Sequence, residues 1–386
     1  MKRYIIMVLI LGFGASGIYL FKNRDQNHWY HLAYYYLLGD RYVEGDGLRK
    51  FYSNQEETHT YKDSGLLKWY FCPDHLGNFC LTGLSDDIDN DGIAEVFVSG
   101  DSKKVYCLNG MNGDVIWMWT LPFGKASEFS YFLIDTDRDS INELIVGTCG
   151  STLPNRVYCL RTGKDLIDRE IWHQEVSGDF IQGGLTGVVL PNGDCRIVVA
   201  TRDAPYSRGS LNVLDQNGEH IFPPIKGFDV CNCRPTICDL NGDGELEIVL
   251  GSHNFYHAKY GWTTSAFSME DGHLIWSTPM GFDTGYYNLP CIDFDGDGHN
   301  DIIVWDRILE GTTGEIKDSL IKNDPDRLMF RAVIYDQDKP ALILAIDTLS
   351  GNMGHCILDY ESREQISDLK DFPLRVSSPV LDIDND

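Results

Sequence analysis

A short acidic loop recurs five times along the chain, and it constrains the fold more than any other feature of the sequence. Every copy starts Asp-x-Asp/Asn-x-Asp, and four copies continue through glycine or serine to an acid at the ninth position. The copies begin at Asp87, Asp135, Asp239, Asp293 and Asp382, and the chain ends inside the last one. Apolar, β-branched runs follow the four complete copies, at Val96–Val98, Leu144–Val146, Ile248–Leu250 and Ile302–Val304. Such runs predict buried strands, so each loop is expected to be a turn between two strands.

The spacing of the acids suits Ca²⁺. This ion takes roughly six to eight oxygen ligands in a flexible shell, which carboxylates at the first, third and fifth positions can begin. Glycine at the sixth position permits a sharp turn, the seventh residue offers its backbone carbonyl, and the ninth acid closes the shell. The predicted ligands are Asp87, Asp89, Asp91, Ile93 and Glu95; Asp135, Asp137, Asp139, Ile141 and Glu143; Asp239, Asn241, Asp243, Glu245 and Glu247; Asp293, Asp295, Asp297, His299 and Asp301; and Asp382, Asp384 and Asp386.

The simpler alternative is that these are ordinary Asp/Asn/Gly turns that bind nothing. Recurrence of the ninth-position acid in four copies favours metal. The second copy is the weakest, because Ser140 replaces the glycine and Arg138 adds a positive charge. The loop resembles the start of an EF-hand, but its closing acid comes earlier and its flanks are not helical.

The spacing between copies predicts a repeat architecture. The second and last intervals are about twice the others, and degenerate turns at Val188–Val199 and Arg331–Leu344 fill them. With these turns included, seven registers recur about every 49 residues, within the range of solenoids and propellers.

A second signature, strand, glycine turn, strand and aromatic residue, lies at a fixed offset inside each unit. It occurs at Val105–Trp117, Val157–Trp172, Leu211–Phe222 and Ala266–Trp276 and predicts hairpins. One loop with its strands and one hairpin make a four-stranded unit of the size of a propeller blade. We therefore predict an all-β fold, a seven-bladed β-propeller over residues 66–386, with eight blades allowed in a longer parent chain. Because the last loop stops at Asp386, we expect an incomplete last repeat and an open ring.

Two stretches carry a family resemblance: RPTICDLNGDGELEIVLG at 234–251 and SSPVLDIDND at 377–386. They resemble the FG-GAP/VCBS repeats of integrin α-subunit propellers and of many bacterial exported proteins. The hairpins that end in Trp are similar to those of quinoprotein propellers. The resemblance implies a propeller with bound Ca²⁺. Since such families include adhesive, scaffolding and enzymatic members, it does not imply a reaction.

Charge excludes one class of partner. The chain has 58 acidic and 32 basic residues, a net charge of −26. An acidic surface without a basic stripe repels nucleic-acid phosphate, so we expect no nucleic-acid binding.

The N-terminus predicts export. Lys2 and Arg3 precede an uncharged run from Tyr4 to Phe21. The run is just long enough to span a bilayer, and the positive residues place its N-terminus inside. We predict a signal anchor at 1–22, a juxtamembrane stalk at 23–65 and the propeller outside the cytoplasm. A cleaved signal peptide, giving a secreted or periplasmic protein, is the alternative.

Eleven cysteines in an exported chain invite disulfides. Cys107 and Cys159 share one strand position and are expected to be core thiols. Cys72 and Cys80 flank a turn and are the favoured bridge. The Cys231, Cys233 and Cys238 cluster lacks a common zinc spacing, so core thiols or one local disulfide are expected there.

The segment after the third loop's strand offers candidate ligand contacts. It interrupts the ordinary hairpin with groups that stack on sugars or peptides: His253, Tyr256, His257, Lys259, Tyr260 and Trp262. An ordinary long loop packing on its neighbour is the alternative.

No nucleophile elbow, phosphate loop or HExxH motif is present, and no catalytic residue is predicted. The favoured function is a non-catalytic, calcium-stabilised module that binds an extracellular protein or glycan. The alternatives are a polysaccharide-active enzyme similar to rhamnogalacturonan lyases and, less favoured, a quinone-dependent (PQQ-type) dehydrogenase.

Overall fold

The structure, a computed structural model, describes residues 57–60, 69–72, 84–99, 103–123, 125–149, 155–178, 181, 184–202, 209–230, 234–253, 259–282, 284, 289–319, 328–336, 339–347, 355–359 and 365–369. All regular elements in these residues are β-strands, which confirms the all-β prediction. The described part of the chain holds no helix that is long and apolar enough to cross a membrane. The run Tyr4–Phe21 and the incomplete loop at Asp382 lie outside it.

The chain divides into two compact units. The first comprises residues 1–183 with 189–195 and 216–218, and the second comprises 184–188, 196–215 and 219–386. The prediction of one propeller domain over 66–386 stays a prediction.

The first unit contains a two-stranded sheet and two four-stranded sheets. The two-stranded sheet pairs β1 (Glu57–Thr60) with β2 (Trp69–Cys72). Sheet 1 consists of β3 (Leu84–Asp86), β4 (Glu95–Ser99), β5 (Lys104–Asn109) and β6 (Val115–Thr120). Sheet 2 consists of β7 (Lys125–Ile134), β8 (Glu143–Cys149), β9 (Asn155–Leu160) and β10 (Glu170–Val176).

Sheet 3 has residues in both units. It consists of β11 (Leu185–Val189), β12 (Cys195–Ala200), β13 (Gly209–Leu214) and β14 (Ile225–Phe228).

The second unit contains three further four-stranded sheets. Sheet 4 consists of β15 (Thr236–Cys238), β16 (Glu247–Gly251), β17 (Thr263–Ser268) and β18 (Leu274–Pro279). Sheet 5 consists of β19 (Cys291–Ile292), β20 (Asp301–Val304), β21 (Arg307–Leu309) and β22 (Ile316–Ser319). Sheet 6 consists of β23 (Leu328–Asp336), β24 (Lys339–Asp347), β25 (His355–Asp359) and β26 (Gln365–Leu369).

All six four-stranded sheets pair their strands in chain order. Every pair whose register is described is antiparallel, as in Ile248↔Phe267 of sheet 4. A four-stranded antiparallel meander is the blade unit of β-propellers, so the predicted repeat unit is confirmed. The blade count of the whole chain stays a prediction, because the seventh register falls at Asp382.

The strands that follow the acidic loops lie in the core, as their β-branched sequences predict. The residues of β16 and β20 are all buried. In the first unit, Phe97, Leu144 and Tyr158 belong to one apolar cluster. The end of each loop is therefore fixed to a rigid, buried strand.

Both degenerate turns form hairpins. In sheet 3, the N–H of Leu190 donates to the carbonyl oxygen of Asp194 (2.8 Å). In sheet 6, Asp336 pairs with Lys339 across the turn. The repeat registers inferred at these positions are thus real strand connections.

Aromatic residues at the ends of the hairpins contact a glycine or carbonyl of the following hairpin. The indole N–H of Trp117 donates to the carbonyl of Thr162 (2.8 Å). Trp276 donates in the same way to Gly311 (2.7 Å). The aromatic residue that ends the sequence signature therefore joins one sheet to the next within each unit.

The cysteines partly depart from expectation. Cys107 and Cys159 are free and buried, as predicted. Cys238 forms a disulfide with Cys291, so the expectation of a core thiol or local bridge at this residue is wrong. Their strands, β15 and β19, each open a sheet, and sequence spacing gave no sign that the two thiols meet. Cys80, Cys231 and Cys233 lie outside the described residues.

Candidate metal centres

The four complete acidic loops share one backbone conformation. We number them loop 1 (87–95), loop 2 (135–143), loop 3 (239–247) and loop 4 (293–301). The fourth and sixth residues of every loop have positive φ, between 56° and 90°: Asn90, Arg138, Gly242 and Gly296 at the fourth, and Gly92, Ser140, Gly244 and Gly298 at the sixth. Glycine adopts this conformation at little cost, and Asn is also enriched there. Ser140 adopts it too, so loop 2 keeps the common shape without its glycine.

The first aspartate of each loop is held by the loop's own backbone. Its Oδ2 accepts a hydrogen bond from the N–H of the sixth residue in all four loops, at 2.8 to 3.0 Å. The fifth aspartate accepts from the N–H of the seventh residue at 2.8 Å in every loop. These bonds fix the carboxylates in place and leave further lone pairs available to a cation.

The ninth residue of each loop is a buried acid. The exposed fractions are 0% for Glu95, 3% for Glu143, 5% for Glu247 and 0% for Asp301. One oxygen of each accepts from the N–H of the loop's second residue, at 2.7 to 3.2 Å. A carboxylate removed from water is costly unless it is paired with a cation or protonated. Four such acids, each closing a cluster of carboxylates, need a compensating cation or a proton.

The pKa values of three of these buried acids reflect this need. Burial raises the pKa of Glu143 and that of Glu247, and neighbouring loop carboxylates add to both shifts. Burial also raises the pKa of Asp301, to about 6. A bound divalent cation would favour the ionised forms instead.

The oxygens also meet the spatial requirement of a single ion. In three loops, one ligand atom from each of three acids lies within 4.8 Å of the others: Asp87, Asp89 and Glu95; Asp135, Asp137 and Glu143; and Asp293, Asp295 and Asp297. Ca–O distances of about 2.3–2.6 Å allow such separations around one ion. The residues present therefore fit Ca²⁺, and binding itself stays a prediction.

Loop 3 differs because Asn241 stands at its third position. The amide of Asn241 donates to Asp243 Oδ2 (3.0 Å), and its oxygen accepts from the N–H of Asp243 (2.9 Å). Loop 3 therefore carries one carboxylate fewer than loops 1, 2 and 4, and one oxygen of Asp243 already accepts a hydrogen bond from the amide.

Arg138 lies in loop 2 but does not place its positive charge among the carboxylates of that loop, as the sequence suggested. Its guanidinium contacts Asp194 Oδ1 (3.0 Å) and the carbonyl of Gly193 (2.9 Å), in the turn of sheet 3. The positive charge is therefore directed to another turn and away from the carboxylates of its own loop.

Two lysines that the sequence analysis did not single out reach the loops. Lys164, in the turn between β9 and β10, places its Nζ against Asp89 Oδ2, 3.5 Å from Glu95 Oε1 and 3.6 Å from Asp91 Oδ2. The hydrogen bond between Lys164 and Asp89 lowers the pKa of Asp89 and raises the pKa of Lys164.

Lys317, on β22, makes the corresponding contacts in loop 4. Its Nζ lies 2.7 Å from Asp301, 2.8 Å from Asp295 and 3.2 Å from Glu310. Burial disfavours the charged ammonium, but these bonds outweigh that effect and raise the pKa of Lys317.

Side chains of the eighth loop residue connect neighbouring loops. Asn142 Nδ2 of loop 2 donates to Asp86 Oδ2 (2.9 Å), directly before loop 1. Asn300 Nδ2 of loop 4 donates to the carbonyl of Asp239 (2.7 Å), the first residue of loop 3. The disulfide joins the strands that lead into these same loops 3 and 4. A change in one loop can therefore be transmitted to the next.

The predicted ligand-contact segment divides between interior and surface. His253 is 0% exposed and Tyr260 is 7% exposed, stacked on Phe228 at 4.5 Å, so neither is a surface contact. Lys259 is exposed, although its Nζ bonds to the hydroxyl of Tyr260 (2.9 Å). Trp262 is 45% exposed with a φ of 57°, unusual for a bulky residue. Tyr256 and His257 lie outside the described residues, as do Asp382, Asp384 and Asp386.

Comparison with known proteins finds partial structural likeness at low sequence identity. No protein-family model matches the sequence, and no curated protein matches it. Among solved structures, BBS1N in complex with ARL6DN is 12% identical with a TM-score of 0.48, covering 74% of this chain and 80% of that chain. BamB from Moraxella catarrhalis is 16% identical with a TM-score of 0.45, covering 78% and 76%. A europium-containing methanol dehydrogenase is 12% identical with a TM-score of 0.45, covering 75% and 73%. These are β-propeller proteins, and no function is carried over from them.

Proposed function

We propose that this chain is a calcium-stabilised β-propeller displayed outside the cytoplasm, where it binds a protein or glycan without catalysing a reaction. In this proposal the six four-stranded sheets are blades, and the acidic loops are structural Ca²⁺ sites at the turns between the first two strands of a blade. The FG-GAP/VCBS resemblance supports the same assignment.

The carrying observation is the geometry shared by the four loops. Each has the same two left-handed residues, the same backbone bonds to its first and fifth aspartates, and a buried acid at its ninth position. An ordinary turn requires none of the buried acids, since turn chemistry is complete with one Asp or Asn and a glycine. Their recurrence is explained if each closes a cation shell.

The proposed role of the ion is mechanical. A Ca²⁺ in loop 2 would be held by Asp135, Asp137, Asp139, the carbonyl of Ile141 and Glu143, and it would supply the charge that neutralises these groups. Since Glu143 opens the buried strand β8, the ion would fix this strand to the turn before it. Without a cation, the like charges repel and favour opening of the turn.

One consequence of the calcium proposal and one observation support the proposed location. Weak modular Ca²⁺ sites suit the high Ca²⁺ concentration outside cells. A structural disulfide such as Cys238–Cys291 persists in oxidising compartments. We propose from the sequence that residues 1–22 either anchor the chain in the membrane or are removed as a signal peptide.

The proposed binding surface includes Trp262 and Lys259, at the end of sheet 4 opposite its acidic loop. An exposed indole in a strained backbone conformation suits stacking on a sugar ring or a peptide side chain. A polysaccharide-active enzyme is the second candidate, and Trp262 is the observation that favours it.

Two measurements test these proposals. Elemental analysis of the purified chain, dialysed against Ca²⁺, should find more than one Ca²⁺ per chain; a metal-free protein would refute the calcium sites. Incubation with pectin-like polysaccharides separates the two functions. If the chain binds the polysaccharide and Trp262→Ala abolishes that binding, the binding module is supported. Release of unsaturated products would instead establish the enzyme.

A further inference from the structure

We infer that Lys164 and Lys317 are resident counter-cations that compete with Ca²⁺, so that loops 1 and 4 bind Ca²⁺ more weakly than loop 2. The inference rests on the proposed calcium sites and divides them into two classes. It assigns a specific role to two lysines that belong to no recognised motif.

Lys164 lies where a cation would compensate the carboxylates of loop 1. Its ammonium contacts three of the four acids of the loop, including the wholly buried Glu95. Two of these acids, Asp89 and Glu95, belong to the set whose oxygens lie within 4.8 Å of one another. A Ca²⁺ bound by this set would have to displace the ammonium.

The turn that carries Lys164 is itself fixed. Arg169 donates to the carbonyls of Gly163 (2.6 Å) and Lys164 (3.0 Å), and its guanidinium lies 4.2 Å from the ring centre of Trp117. Trp117 in turn donates to Thr162. The backbone beneath the lysine is thus preorganised, which lowers the entropic cost of placing its side chain in loop 1.

Lys317 reaches loop 4 from the edge strand of the same sheet. Its side chain is 22% exposed, and it contacts Asp295 and the wholly buried Asp301 at 2.8 and 2.7 Å. Glu310 is a third partner. Both lysines therefore approach a ninth-position acid and the third-position aspartate of the same loop, although one comes from a turn and the other from an edge strand.

Among the residues that the structure describes, no cation of this kind reaches loop 2 or loop 3. Within the described part of the chain, no lysine, arginine or histidine lies within ion-pair distance of Asp135, Asp137, Glu143, Asp239 or Glu247. The one basic residue inside loop 2, Arg138, pairs with Asp194 instead. Buried charge in these two loops is left for an external ion to neutralise.

The consequence is a graded response to Ca²⁺. Loop 2, whose acids converge and meet no ammonium, fills first, and loops 1 and 4 fill when Ca²⁺ is high enough to expel the ammonium. At low Ca²⁺ the lysines preserve the shape of loops 1 and 4, so only part of the molecule depends on the metal.

Calorimetric titration of the chelator-treated full chain with Ca²⁺ tests the inference. The variants are Lys164→Met and Lys317→Met, which keep the length of the side chain and remove its charge. The control is Lys226→Met, an exposed lysine of β14 that forms no ion pair with any described residue. Wild type and control should show tight and weak classes of site. Each lysine variant should convert one weak site to a tighter one, by about tenfold or more.

Lys164→Arg retains the charge and should keep the weak class, which separates charge from disturbed folding. If the methionine variants unfold without metal, recovery of the native circular dichroism spectrum on adding Ca²⁺ also supports the inference. Ca²⁺ binding with affinities unchanged by either methionine variant would overturn the inference and leave the calcium sites standing. Absence of Ca²⁺ binding in all variants, including those without the lysines, would overturn both.

Discussion

The ring of Phe222 lies directly against Gly272, where a Cβ atom would come within 2.5 Å of the ring carbon Cε2. The same relationship joins Trp172 to Gly218 at 2.6 Å and Trp276 to Gly314 at 2.5 Å. In each pair the aromatic residue follows one hairpin's glycine turn, and the glycine belongs to the turn of the next hairpin. The glycine is needed twice, for its positive φ and for the space that the ring occupies.

Gly272→Ala should therefore destabilise the protein more than the same substitution at a glycine that has a positive φ but no neighbouring ring. Gly281→Ala is the matched control, because Gly281 has a φ of 75° and no atom lies within 4 Å of the position that the alanine methyl would take. Denaturant unfolding should show a loss for Gly272→Ala that exceeds the control's by about 1–3 kcal/mol. Equal losses would mean that the ring yields without cost.

The Cys238–Cys291 disulfide should stabilise the sheets that carry loops 3 and 4. Because it closes a loop of 53 residues, replacing both cysteines by serine should lower the free energy of unfolding by about 2–4 kcal/mol. The double variant should also lose any response of its unfolding midpoint to reductant. If reductant does not move the unfolding midpoint of the wild-type protein, the Cys238–Cys291 bridge is contradicted.

The buried thiol of Cys107 should be inert in the folded protein. Burial raises its pKa to about 12, so the reactive thiolate is almost absent near neutral pH and forms only as pH approaches that value. Iodoacetamide at pH 8, followed by peptide mass spectrometry, should leave Cys107 unmodified in native protein and modify it in urea. Comparable labelling in both states would show that the strand opens freely.

The side chain of Asn300 should couple loop 4 to loop 3. Asn300→Ala removes its bond to the Asp239 carbonyl, so it should cost about 1 kcal/mol of stability and weaken Ca²⁺ binding at loop 3. Asn192→Ala removes a bond inside an exposed turn and serves as the control. Calcium affinities that respond equally to both changes would argue against coupling between the loops.

Much of the local fold could be predicted because short-range chemistry determines it. Val96–Val98 and Ile248–Leu250 follow acidic turns, and both form strands as predicted. The second run is buried throughout, whereas in the first only Phe97 is buried and the two valines are half-buried. The aromatic residue after each glycine turn was recognisable as a hairpin signal. Its contact with the next glycine was not, because periodicity along the chain gives no information on which turn meets which ring.

The candidate sites show the same division. The acids that converge in loops 1, 2 and 4 lie close in sequence, so their convergence followed from spacing alone. Lys164 belongs to the turn of another sheet, and Lys317 belongs to an edge strand. Cys291 is far from Cys238 in sequence, although the two are bonded. Such partners are set by the pairing of strands within a sheet or by the packing of one sheet on another, and sequence spacing describes neither. His253 and Tyr260 looked like surface contacts by residue type, but packing against Phe228 and neighbouring strands buries them.

The most direct test of the calcium account is a pair of thermal melts of the full chain, one in excess Ca²⁺ and one in excess chelator. Ligand binding to the folded state contributes about 2.7 kcal/mol per site at a hundredfold excess over Kd, so chelation should lower Tm by about 5 °C or more. Asp135→Ala should reduce this shift, whereas Asp271→Ala, which alters an exposed turn outside the acidic loops, should not. Superimposable melts of the wild-type chain in Ca²⁺ and in chelator would contradict the account.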